Sequence, residues 1–449
     1  METIIEPKDY IAKLWSIPTI REKRSFRLMQ YIIRTDYKGY VLLYNVVSGQ
    51  LVKLNHAETG VINSLPADYL SSMKELVDAF YLVPTEYDEH EMVKATRHIL
   101  RKLDEAQLNH DVVHYTILPT TGCNARCYYC FEKGIRISNM SIETAQDVVK
   151  FICSHCGDNK EIRIRWFGGE PTVASERIDQ ICTGLRDNGI SYTAAITTNG
   201  YLFNETMVNK AKDLWHLTSA NITIDGIEEN YNRIKDFVNP KDNPYLRVMH
   251  NIKLLLERHI YVQIRMNFDI QNYNDFSKLV GEILERFGSN EYLHVFVHPI
   301  NGEYTGIDGD VKHGTDEWFS KKIVELNGIS RRAGLYRSKK ALPFLNYKGC
   351  MATDSTSVTI TPEGRLVRCS EHIGDEQTTG TVKHGTTNPK MIESWNSFAD
   401  YEKCAHCNLY PYCIQVTNCS VKDMCTYKDE YDYRFSEAII ERFVEFSSY

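Results

Sequence analysis

Three cysteines in one short loop constrain this chain more than any other feature of its sequence. Cys123, Cys127 and Cys130 lie in the segment TTGCNARCYYCFEKG with the spacing C-x3-C-x2-C. Three thiolates from one loop can hold a cubane iron–sulfur cluster, which usually takes four cysteines, and leave one iron without a protein ligand. A zinc site is the alternative, but zinc motifs usually pair two C-x2-C units into a four-ligand cage. The loop therefore predicts a cluster whose open iron can bind a substrate.

The remaining cysteines form two further groups. The chain of 449 residues has 13 cysteines in all. Because a disulfide scaffold is normally a short secreted domain, grouped thiols in a long chain indicate a metal, with iron–sulfur and zinc both open. Seven cysteines lie between residues 350 and 425. The other three lie in helical stretches, where cysteine is more often a core residue than a ligand: Cys153, Cys156 and Cys182.

The composition is that of an ordinary globular protein. Hydrophobic residues make up 43% and charged residues 25% of the chain, and the length allows about three domains. The net charge of −7 argues against a nucleic-acid-coating surface, which needs clustered Lys and Arg. The first residues lack the apolar core of a signal peptide, and no apolar run approaches the ~20 residues that span a bilayer. We therefore expect a soluble cytoplasmic protein without a nucleic-acid or membrane partner.

Between about residues 111 and 300, strand-like and helix-like segments alternate. Helical periodicity is clear in Ser141–Cys156, where apolar side chains share one face. Six β/α repeats predict a parallel, right-handed βα array, in which functional residues gather at the C-terminal ends of the strands. The cysteine loop directly follows the first strand. The predicted strands are Val112–Leu118, Ile162–Phe167, Tyr192–Thr198, Asn221–Asp225, Val262–Phe268 and Leu293–Pro299.

The region before this array, roughly Ser25–Leu103, has a different pattern. FRLMQYIIRTDY and YVLLYNVVSGQLVKLN predict two strands of a hairpin or meander, and helical stretches follow near Ala57–Leu65, in SSMKELVDAF and over Asp88–Leu103. This order resembles the winged-helix elements that hold leader peptides in enzymes that modify ribosomal peptides, where the peptide adds a strand to a sheet edge. A nucleic-acid-binding winged helix is the alternative, but acids cluster around Tyr87–Glu91 and no basic stripe is present.

The second strand ends in the segment Gly168, Gly169, Glu170 and Pro171. Two glycines let a backbone approach a ligand closely, and the carboxyl that follows can accept a hydrogen bond from an ammonium group. Together with the cysteine loop, this GGEP segment resembles the motifs of radical S-adenosylmethionine (SAM) enzymes. The resemblance implies that the open iron chelates the amino and carboxylate groups of SAM, with the GGEP segment against the amino group.

The same resemblance implies further contacts to SAM. Tyr129 stands where the family packs an aromatic ring against the adenine, and Phe131 stands where the family uses backbone contacts to adenine. Strands three and four end in TTNG and TIDG, which resemble SAM-contacting motifs of the family, although ordinary turn chemistry is the alternative. The residues of these two segments that the resemblance places near SAM are Thr198, Asn199, Thr223 and Asp225.

Three cationic side chains are candidates for binding near the SAM carboxylate. Related enzymes usually follow the fourth-strand motif with an arginine; here that offset falls on Lys235, with Arg233 two residues earlier. Arg265 lies on strand five, where SAM, a substrate or a structural ion pair could balance its charge. His294 and His298 on strand six are interpreted as satisfied core histidines.

The resemblance implies a radical mechanism and its cofactors. One electron from a reduced 4Fe-4S cluster cleaves SAM to methionine and a 5′-deoxyadenosyl radical, which removes a hydrogen atom from an otherwise unreactive carbon. The protein supplies position and excludes water, while the cofactor supplies the difficult chemistry. SAM, a SAM-binding cluster and an electron donor of the flavodoxin or ferredoxin type are therefore expected.

The seven-cysteine tail resembles the SPASM extension of radical SAM enzymes. A pattern C-x13-G-x4-C is followed by C-x2-C-x5-C and two further cysteines, with five residues before the first of them where the family has three. A zinc ribbon is the alternative, although seven thiolates exceed one tetrahedral site. The extension implies two auxiliary 4Fe-4S clusters, the first held by Cys350, Cys369 and Cys419 and the second by Cys404, Cys407, Cys413 and Cys425.

Three ligands leave an iron open on the first auxiliary cluster. An open iron could bind a substrate cysteine, lower the pKa of its thiol and accept an electron while a bond forms. That chemistry suits a thioether cross-link, as in sactipeptide or ranthipeptide biosynthesis. In sulfatase-maturing relatives an aspartate directly follows the second cysteine; Ser370 stands here, with Glu371 next, which disfavours formylglycine formation.

The sequence therefore predicts an α/β protein of three parts. They are a winged-helix-like leader-recognition domain over residues 1–108, a partial (βα)6 radical SAM barrel over 109–345, and a SPASM iron–sulfur domain plus C-terminal helix over 346–449. We expect a peptide maturase that forms cysteine thioethers in a ribosomally made precursor peptide with a leader sequence. Carbon–carbon cross-linking, epimerisation and formylglycine formation stay open. A non-catalytic iron–sulfur redox regulator is the alternative from a different class of protein. A sensor, however, needs no ligand-binding segment such as GGEP beside its cluster.

Overall fold

The computed structural model describes most of the chain. The described residues are 1–8, 25–107, 111–157, 161–300, 315–337, 341–396, 401–413, 416, 418–419 and 425–447. Three regions follow one another, and the α/β class predicted from the sequence is confirmed. Within the described ranges no helix is long and apolar enough to cross a bilayer.

The described residues of the N-terminal region form two small antiparallel sheets and three α-helices. The first sheet has the strand order β1-β5-β4-β3 and the second β6-β2-β7. The strands are β1 (Glu2–Ile5), β2 (Ser25–Leu28), β3 (Ile32–Tyr37), β4 (Tyr40–Asn45), β5 (Leu51–Leu54), β6 (Ala67–Asp68) and β7 (Leu82–Pro84), and the helices are α1 (His56–Asn63), α2 (Lys74–Asp78) and α3 (Glu89–Gln107).

The predicted meander is confirmed by the antiparallel pairing of β3 with β4 and of β4 with β5, but each of the two long predicted strands is broken by a turn. The amide oxygen of Asn45 accepts hydrogen bonds from the backbone N–H groups of Val47 (2.9 Å) and Ser48 (3.1 Å), which is typical turn chemistry. Gly49 follows with φ of 72°, a left-handed conformation that favours glycine. The second predicted strand is therefore a hairpin in which β5 folds back on β4, while β2 leaves the first to join the other sheet.

A ten-stranded sheet forms the centre of the molecule, and six of its strands are the predicted parallel array. They lie side by side in sequence order, as consecutive right-handed βα units require. The strands are β8 (His114–Ile117), β9 (Glu161–Trp166), β10 (Ser191–Thr198), β11 (Leu217–Thr223), β12 (Tyr261–Phe268) and β13 (Leu293–Pro299). The helices of this region are α4 (Ile142–His155), α5 (Ser175–Asp187), α6 (Glu205–Asp213), α7 (Glu228–Lys235), α8 (Pro244–Glu257), α9 (Phe276–Phe287) and α10 (Asp316–Arg332).

The two faces of these parallel strands differ sharply in chemistry. Alternate residues such as Ile164, Ile196 and Ile264 are buried in the main hydrophobic core together with helix residues, which stabilises the array by removing apolar surface from water. Because successive side chains point to opposite faces, the other face carries the polar alternates, among them Thr116 and Arg165. We call this second face the inner wall.

The cysteine-rich tail continues the same sheet. Strand β14 pairs in parallel with β8, and β15, β16 and β17 follow in antiparallel order. The hairpin predicted at Pro362–Gly364 is confirmed as β14 and β15, with φ of 79° at Gly364; the parallel pairing with β8 was not predicted. The remaining elements are β14 (Ser357–Ile360), β15 (Arg365–Val367), β16 (Gly380–Thr381), β17 (Gly385–Thr386), α11 (Pro389–Trp395), α12 (Glu402–Ala405) and α13 (Lys428–Ser447).

Candidate active site

The three-cysteine loop lies at the C-terminal end of β8 and is fixed to two other segments. The N–H of Arg126 donates to the carbonyl of Lys235 (2.9 Å), and the carbonyl of Asn124 accepts from the N–H of Val238 (2.9 Å). The amide of Asn199, at the end of β10, donates to the side-chain oxygen of Asn124 (2.7 Å). The loop is thus held in place by backbone and amide contacts that do not involve the thiols.

Burial governs the chemistry of the three thiols. It raises the pKa of Cys123 to about 12, with the nearby Glu170 carboxyl and the other two thiols adding to the shift. The pKa values of Cys127 and Cys130 are raised by burial as well. Since a cluster binds thiolates, a set of neighbouring thiols that cannot ionise alone suits a cationic iron cluster that would compensate their charge. Within the described ranges, no three His, Cys, Asp or Glu side chains already surround the position of a single metal ion.

The two glycines of the GGEP segment pack directly against the cysteine loop. A Cβ added at Gly168 would lie 2.2 Å from the carbonyl oxygen of Thr120, and one at Gly169 would lie 2.5 Å from that of Gly122. The N–H of Glu170 donates to the same Gly122 carbonyl (2.9 Å). The sequence predicted close approach to a ligand; the structure shows that glycine is needed here for close approach of one strand end to another.

The Glu170 carboxylate lies at the centre of a buried set of hydrogen bonds. One oxygen accepts from the N–H of Thr172 (3.1 Å) and the hydroxyl of Thr198 (2.8 Å), and the other accepts from the N–H of Asn199 (2.7 Å). Pro171 begins the short 3₁₀ turn that this carboxylate caps. Although burial raises the pKa of Glu170, its neighbours satisfy both oxygens, so it joins the ends of β9 and β10. Contact of this segment with SAM stays a prediction.

A second buried network joins the cysteine loop to the ends of β11 and β12. Asp225 forms an ion pair with Lys235 (2.7 Å) and accepts from the Tyr129 hydroxyl. The Lys235 ammonium also donates to the hydroxyls of Tyr129 (3.0 Å) and Thr223 (2.7 Å), and the Asn267 amide donates to the Tyr129 hydroxyl (2.9 Å). Burial opposes the ammonium, but Asp225 and the Cys127 thiol outweigh it and raise the pKa of Lys235.

The structure separates the two cationic candidates on α7. Lys235 is 2% exposed and belongs to the network beside Cys127, whereas Arg233 is exposed and its guanidinium donates to the side chain of Asn230 (3.0 Å). Residues two apart on a helix project about 200° apart, so only one of the two can face the loop. The placement favours Lys235, since it alone reaches the cysteine loop.

Aromatic side chains lead from the loop to the inner wall. The hydroxyl of Tyr129 is held in the network above, and Phe131, 41% exposed, stacks on Phe167 with ring centroids 6.2 Å apart. The guanidinium of Arg165 lies 4.6 Å from the centre of the Phe167 ring. Arg165 lies on β9 and Phe167 directly follows that strand, so these contacts lead from the cysteine loop to the inner wall.

Arg265 and the two histidines of β13 lie on the polar side of the strands. The Arg265 Nε is buried and has no hydrogen-bond partner among the described residues. Burial, and next the charge of Arg265, lower the pKa of His298 to about 4. Burial likewise lowers the pKa of His294 to about 4, and its ring nitrogen accepts from the N–H of Arg337 (2.7 Å). Both rings are hydrogen-bonded, as predicted, but they lie on the polar face of the strands and outside the main hydrophobic core.

The structure brings together the three cysteines predicted for the first auxiliary cluster. Burial raises the pKa of Cys369 to about 12, and the neighbouring Cys350 and Cys419 thiols contribute. Buried Arg368 organises the adjoining turn by donating to the carbonyls of Ala352 (2.7 Å) and residues 354 and 357. These thiols therefore share one site although 69 positions of sequence separate the first from the last.

Three of the four cysteines predicted for the second auxiliary cluster also lie together. Burial raises the pKa of Cys404 and Cys407, and the Cys425 thiol adds to both shifts. Cys413 lies on the same loop, where its carbonyl accepts from the Arg97 guanidinium (2.8 Å). Their role as ligands stays a prediction.

Several residues of the site were not predicted from the sequence. Arg97 on α3 is 4% exposed and donates to several carbonyls of residues 410–413, so the N-terminal region directly supports the tail. The Tyr128 hydroxyl donates to Asp269 (2.5 Å), tying the cysteine loop to β12. Arg165 lies in a strand whose sequence has an ordinary amphipathic pattern. The one signal in the sequence is that a charged residue stands at a position of β9 that faces the inner wall.

Comparisons with known proteins identify the central region. Residues 117–283 match the family model described as the radical SAM superfamily. GTP 3′,8-cyclase of Clostridium perfringens (strain 13) is 24% identical over 272 residues, which cover 58% of this chain and 80% of that protein. The radical SAM cyclopropyl synthase TigE of Paramaledivibacter caminithermalis is 19% identical over 431 residues, which cover 88% of this chain and 86% of that protein.

A solved structure shows that the likeness extends to the fold of most of the chain. Streptococcus suis SuiB bound to its precursor peptide SuiA gives a TM-score of 0.52 at 16% identity, and the match covers 88% of this chain and 96% of that one. The same protein bound to S-adenosylmethionine gives a TM-score of 0.53. At this identity the match shows a common fold.

Proposed function

We propose that this radical SAM enzyme modifies a ribosomally made precursor peptide and most readily joins a cysteine sulfur to a carbon as a thioether. The fold of SuiB, solved with a precursor peptide, supports a peptide substrate. The chemistry of the site supports a thiol as one reacting group, and the following observation carries that part.

One chamber joins the inner wall to the first predicted auxiliary cluster site. A cavity of ≈ 390 Å³ lies between the inner wall of β8–β10 and the segment 348–354, and its lining includes Arg165 and Cys350. Arg165 also contacts Phe167, against which Phe131 of the cysteine loop stacks. A peptide that runs along Phe131, Phe167 and Arg165 into this chamber would therefore reach from the cysteine loop to Cys350.

The residues present suit the cofactors that a radical SAM domain implies. Cys123, Cys127 and Cys130 would hold the SAM-binding cluster, and the ring of Tyr129 and the backbone of Phe131, both in the cysteine loop, would contact the adenine. When bound, SAM and the reduced cluster supply a 5′-deoxyadenosyl radical that removes a hydrogen atom. The chain itself fixes the loop through Asn124, Tyr129 and the GGEP segment, and the buried networks around the loop exclude water.

Thioether formation requires the site to dispose of two hydrogen atoms. The carbon loses one as a hydrogen atom to the adenosyl group, and the thiol loses its proton to solvent and one electron to an acceptor. The group of Cys350, Cys369 and Cys419, with one ligand fewer than a closed cubane needs, would hold an acceptor able to bind the substrate sulfur. A flavodoxin or ferredoxin type protein is the proposed electron donor.

Carbon–carbon bond formation is the second candidate. The likeness to a cyclopropyl synthase over 88% of this chain favours it. Both reactions remove two hydrogens from the peptide, but only the thioether consumes a thiol. Iodoacetamide added after the reaction therefore separates them.

The experiment uses reconstituted enzyme under anaerobic conditions with dithionite, SAM and a small peptide encoded beside its gene. A thioether predicts 5′-deoxyadenosine and a peptide that is two hydrogens lighter and takes up one iodoacetamide group fewer. A lighter peptide with every thiol still alkylated would instead support carbon–carbon bond formation. No 5′-deoxyadenosine from enzyme with a demonstrably loaded first cluster would contradict the proposal.

A further inference from the structure

The inner wall of the parallel strands carries cationic side chains that form no ion pair with a described residue. Neither Arg165 nor Arg265 is within ion-pair distance of an acid among the described residues, although nearly every other partly buried arginine there is paired or donates to carbonyls. Among the described residues, the Arg165 guanidinium makes one weak hydrogen-bond contact, of 3.9 Å to the sulfur of Met351. The Nε of Arg265 is buried and has no hydrogen-bond partner in the same part of the chain.

The acidic side chains nearest to these guanidinium groups either form hydrogen bonds elsewhere or lie too far away for an ion pair. Asp354 lines the same cavity, but its carboxylate accepts from the N–H (3.0 Å) and hydroxyl (2.8 Å) of Thr356 within its own turn. Glu371 is exposed and influences Arg165 only at longer range. Arg163 and Lys348 line the cavity together with Arg165, against the single acid Asp354, so the cavity lining carries more cationic than anionic side chains.

The two arginines also act on each other. After burial, the charge of Arg265 is the next cause that lowers the pKa of Arg165, so the groups stand close enough to repel. Buried like charges without an intervening anion are unfavourable, since each needs a counter-charge or hydrogen-bond acceptors. A carboxylate is the natural bridge, because its two oxygens match the planar fork of a guanidinium.

Neutral polar atoms on the same wall are also without partners. The hydroxyls of Thr116 and Thr359, on neighbouring strands β8 and β14, and the amide oxygen of Asn221 on β11 are buried and have no hydrogen bond within the described residues. Buried polar groups in proteins are normally satisfied. Because they lie together on the inner wall, we expect a polar ligand to bind there and supply their hydrogen bonds.

We propose that the peptide segment that lies against the inner wall carries a carboxylate and that Arg165, which lines the chamber, and Arg265, on β12, bind it. This inference rests on the proposed peptide-modifying function. Its chemistry fits an aspartate or glutamate side chain near the modified cysteine, or the C-terminal carboxylate of the peptide. In either case the arginines are positioning residues that set which carbon lies near the reacting group.

The test uses SAM-loaded, cluster-reconstituted enzyme and three labelled tripeptides in equilibrium dialysis at low salt. They are acetyl-Cys-Gly-Asp-amide, acetyl-Cys-Gly-Asn-amide and acetyl-Cys-Gly-Asn with a free C-terminus. Wild-type enzyme should bind one or both acid peptides at least about tenfold more tightly than the amide. Preference for the first identifies an acidic side chain, and preference for the third identifies the chain end.

Variants decide whether the arginines cause this preference. Arg165→Gln should remove it and Arg165→Lys should keep part of it, while Arg186→Gln is the control, because Arg186 pairs with Asp187 on the surface of α5. Iron content and circular dichroism equal to wild type establish that each variant is folded and loaded. Labelled SAM is dialysed in parallel against Arg265→Gln.

Three results would overturn the inference. Equal binding of acid and amide peptides by the wild type would exclude a carboxylate site. A preference that survives Arg165→Gln, with an altered electron paramagnetic resonance spectrum of the auxiliary clusters, would assign Arg165 to cluster charge instead. Loss of SAM binding but not of acid preference in Arg265→Gln would assign Arg265 to the cofactor. Since the maturase proposal is judged by 5′-deoxyadenosine and thiol consumption, these failures leave it standing.

Discussion

The two cysteine-rich parts of the chain are built in different ways. The three-cysteine loop beside the barrel is joined to the ends of β9, β10, β11 and β12 by the networks around Glu170 and Asp225. The tail cysteines lie on irregular segments that Arg97 and Arg368 tie through backbone carbonyls. The first site is therefore organised by the protein alone, whereas we predict that the second depends on bound metal.

Removing one thiol from the loop should give the largest functional loss. Cys127→Ala leaves two potential ligands for the SAM-binding cluster, so 5′-deoxyadenosine formation should fall to background, while the barrel should fold normally because its networks do not use the thiol. Cys182→Ala, in a buried thiol of α5 outside the site, is the matched control. Product formation by chromatography and circular dichroism measure the two effects, and SAM cleavage by Cys127→Ala would contradict the assignment.

Removing iron should change the tail of the chain much more than the parallel strands of the barrel. Without iron, hydrogen exchange should rise at least about tenfold in the segments 401–413 and 425–427, because metal binding there is part of folding. Residues 114–117 and 161–166 in the parallel strands should keep their protection. The comparison between apo and loaded enzyme by exchange mass spectrometry checks this, and equal changes in both regions would show that the tail does not depend on metal.

Breaking the buried ion pair should destabilise the barrel site strongly. Lys235→Met leaves Asp225 buried without its counter-charge, which we expect to cost about 3–5 kcal/mol of the free energy of unfolding. The double variant Asp225→Asn with Lys235→Met should recover part of that loss. Denaturant unfolding of the apo chain gives these values; additive losses would show that the two groups do not act as a pair.

A methyl group at Gly169 should produce a smaller loss. Gly169→Ala places a Cβ against two carbonyl oxygens of the cysteine loop, and we expect about 1–3 kcal/mol of destabilisation. Gly281→Ala is the control, since a Cβ there in helix α9 meets nothing within 4 Å and should be neutral or stabilising by up to about 1 kcal/mol. Similar melting temperatures for both variants would contradict the close packing.

Arg233 should show the smallest effect. It is exposed on the same helix as Lys235, so Arg233→Gln should change the free energy of unfolding by no more than about 0.5 kcal/mol. Its SAM affinity, measured by dialysis, should match wild type. A large loss of SAM binding would reverse the placement of the two cations.

Patterns with strong periodicity or spacing were predictable from the sequence, and long-range contacts were not. All six parallel strands were found, yet β11 begins at Leu217, four residues before the predicted start, because Thr218 and Ser219 hide its apolar alternation. The split of the N-terminal strands depended on the Asn45 turn. The roles of Arg97, Arg165 and Arg368 follow from tertiary contacts between segments far apart in sequence, which no local pattern encodes.

Isotope transfer tests most directly the claim that a radical formed beside the cysteine loop reaches a peptide in the chamber. The reconstituted enzyme is supplied with SAM, dithionite and a uniformly deuterated precursor peptide, and the 5′-deoxyadenosine is examined by mass spectrometry. The account predicts deuterium in the 5′-deoxyadenosine that accompanies each modified peptide. Modified peptide together with 5′-deoxyadenosine that contains no deuterium would contradict it.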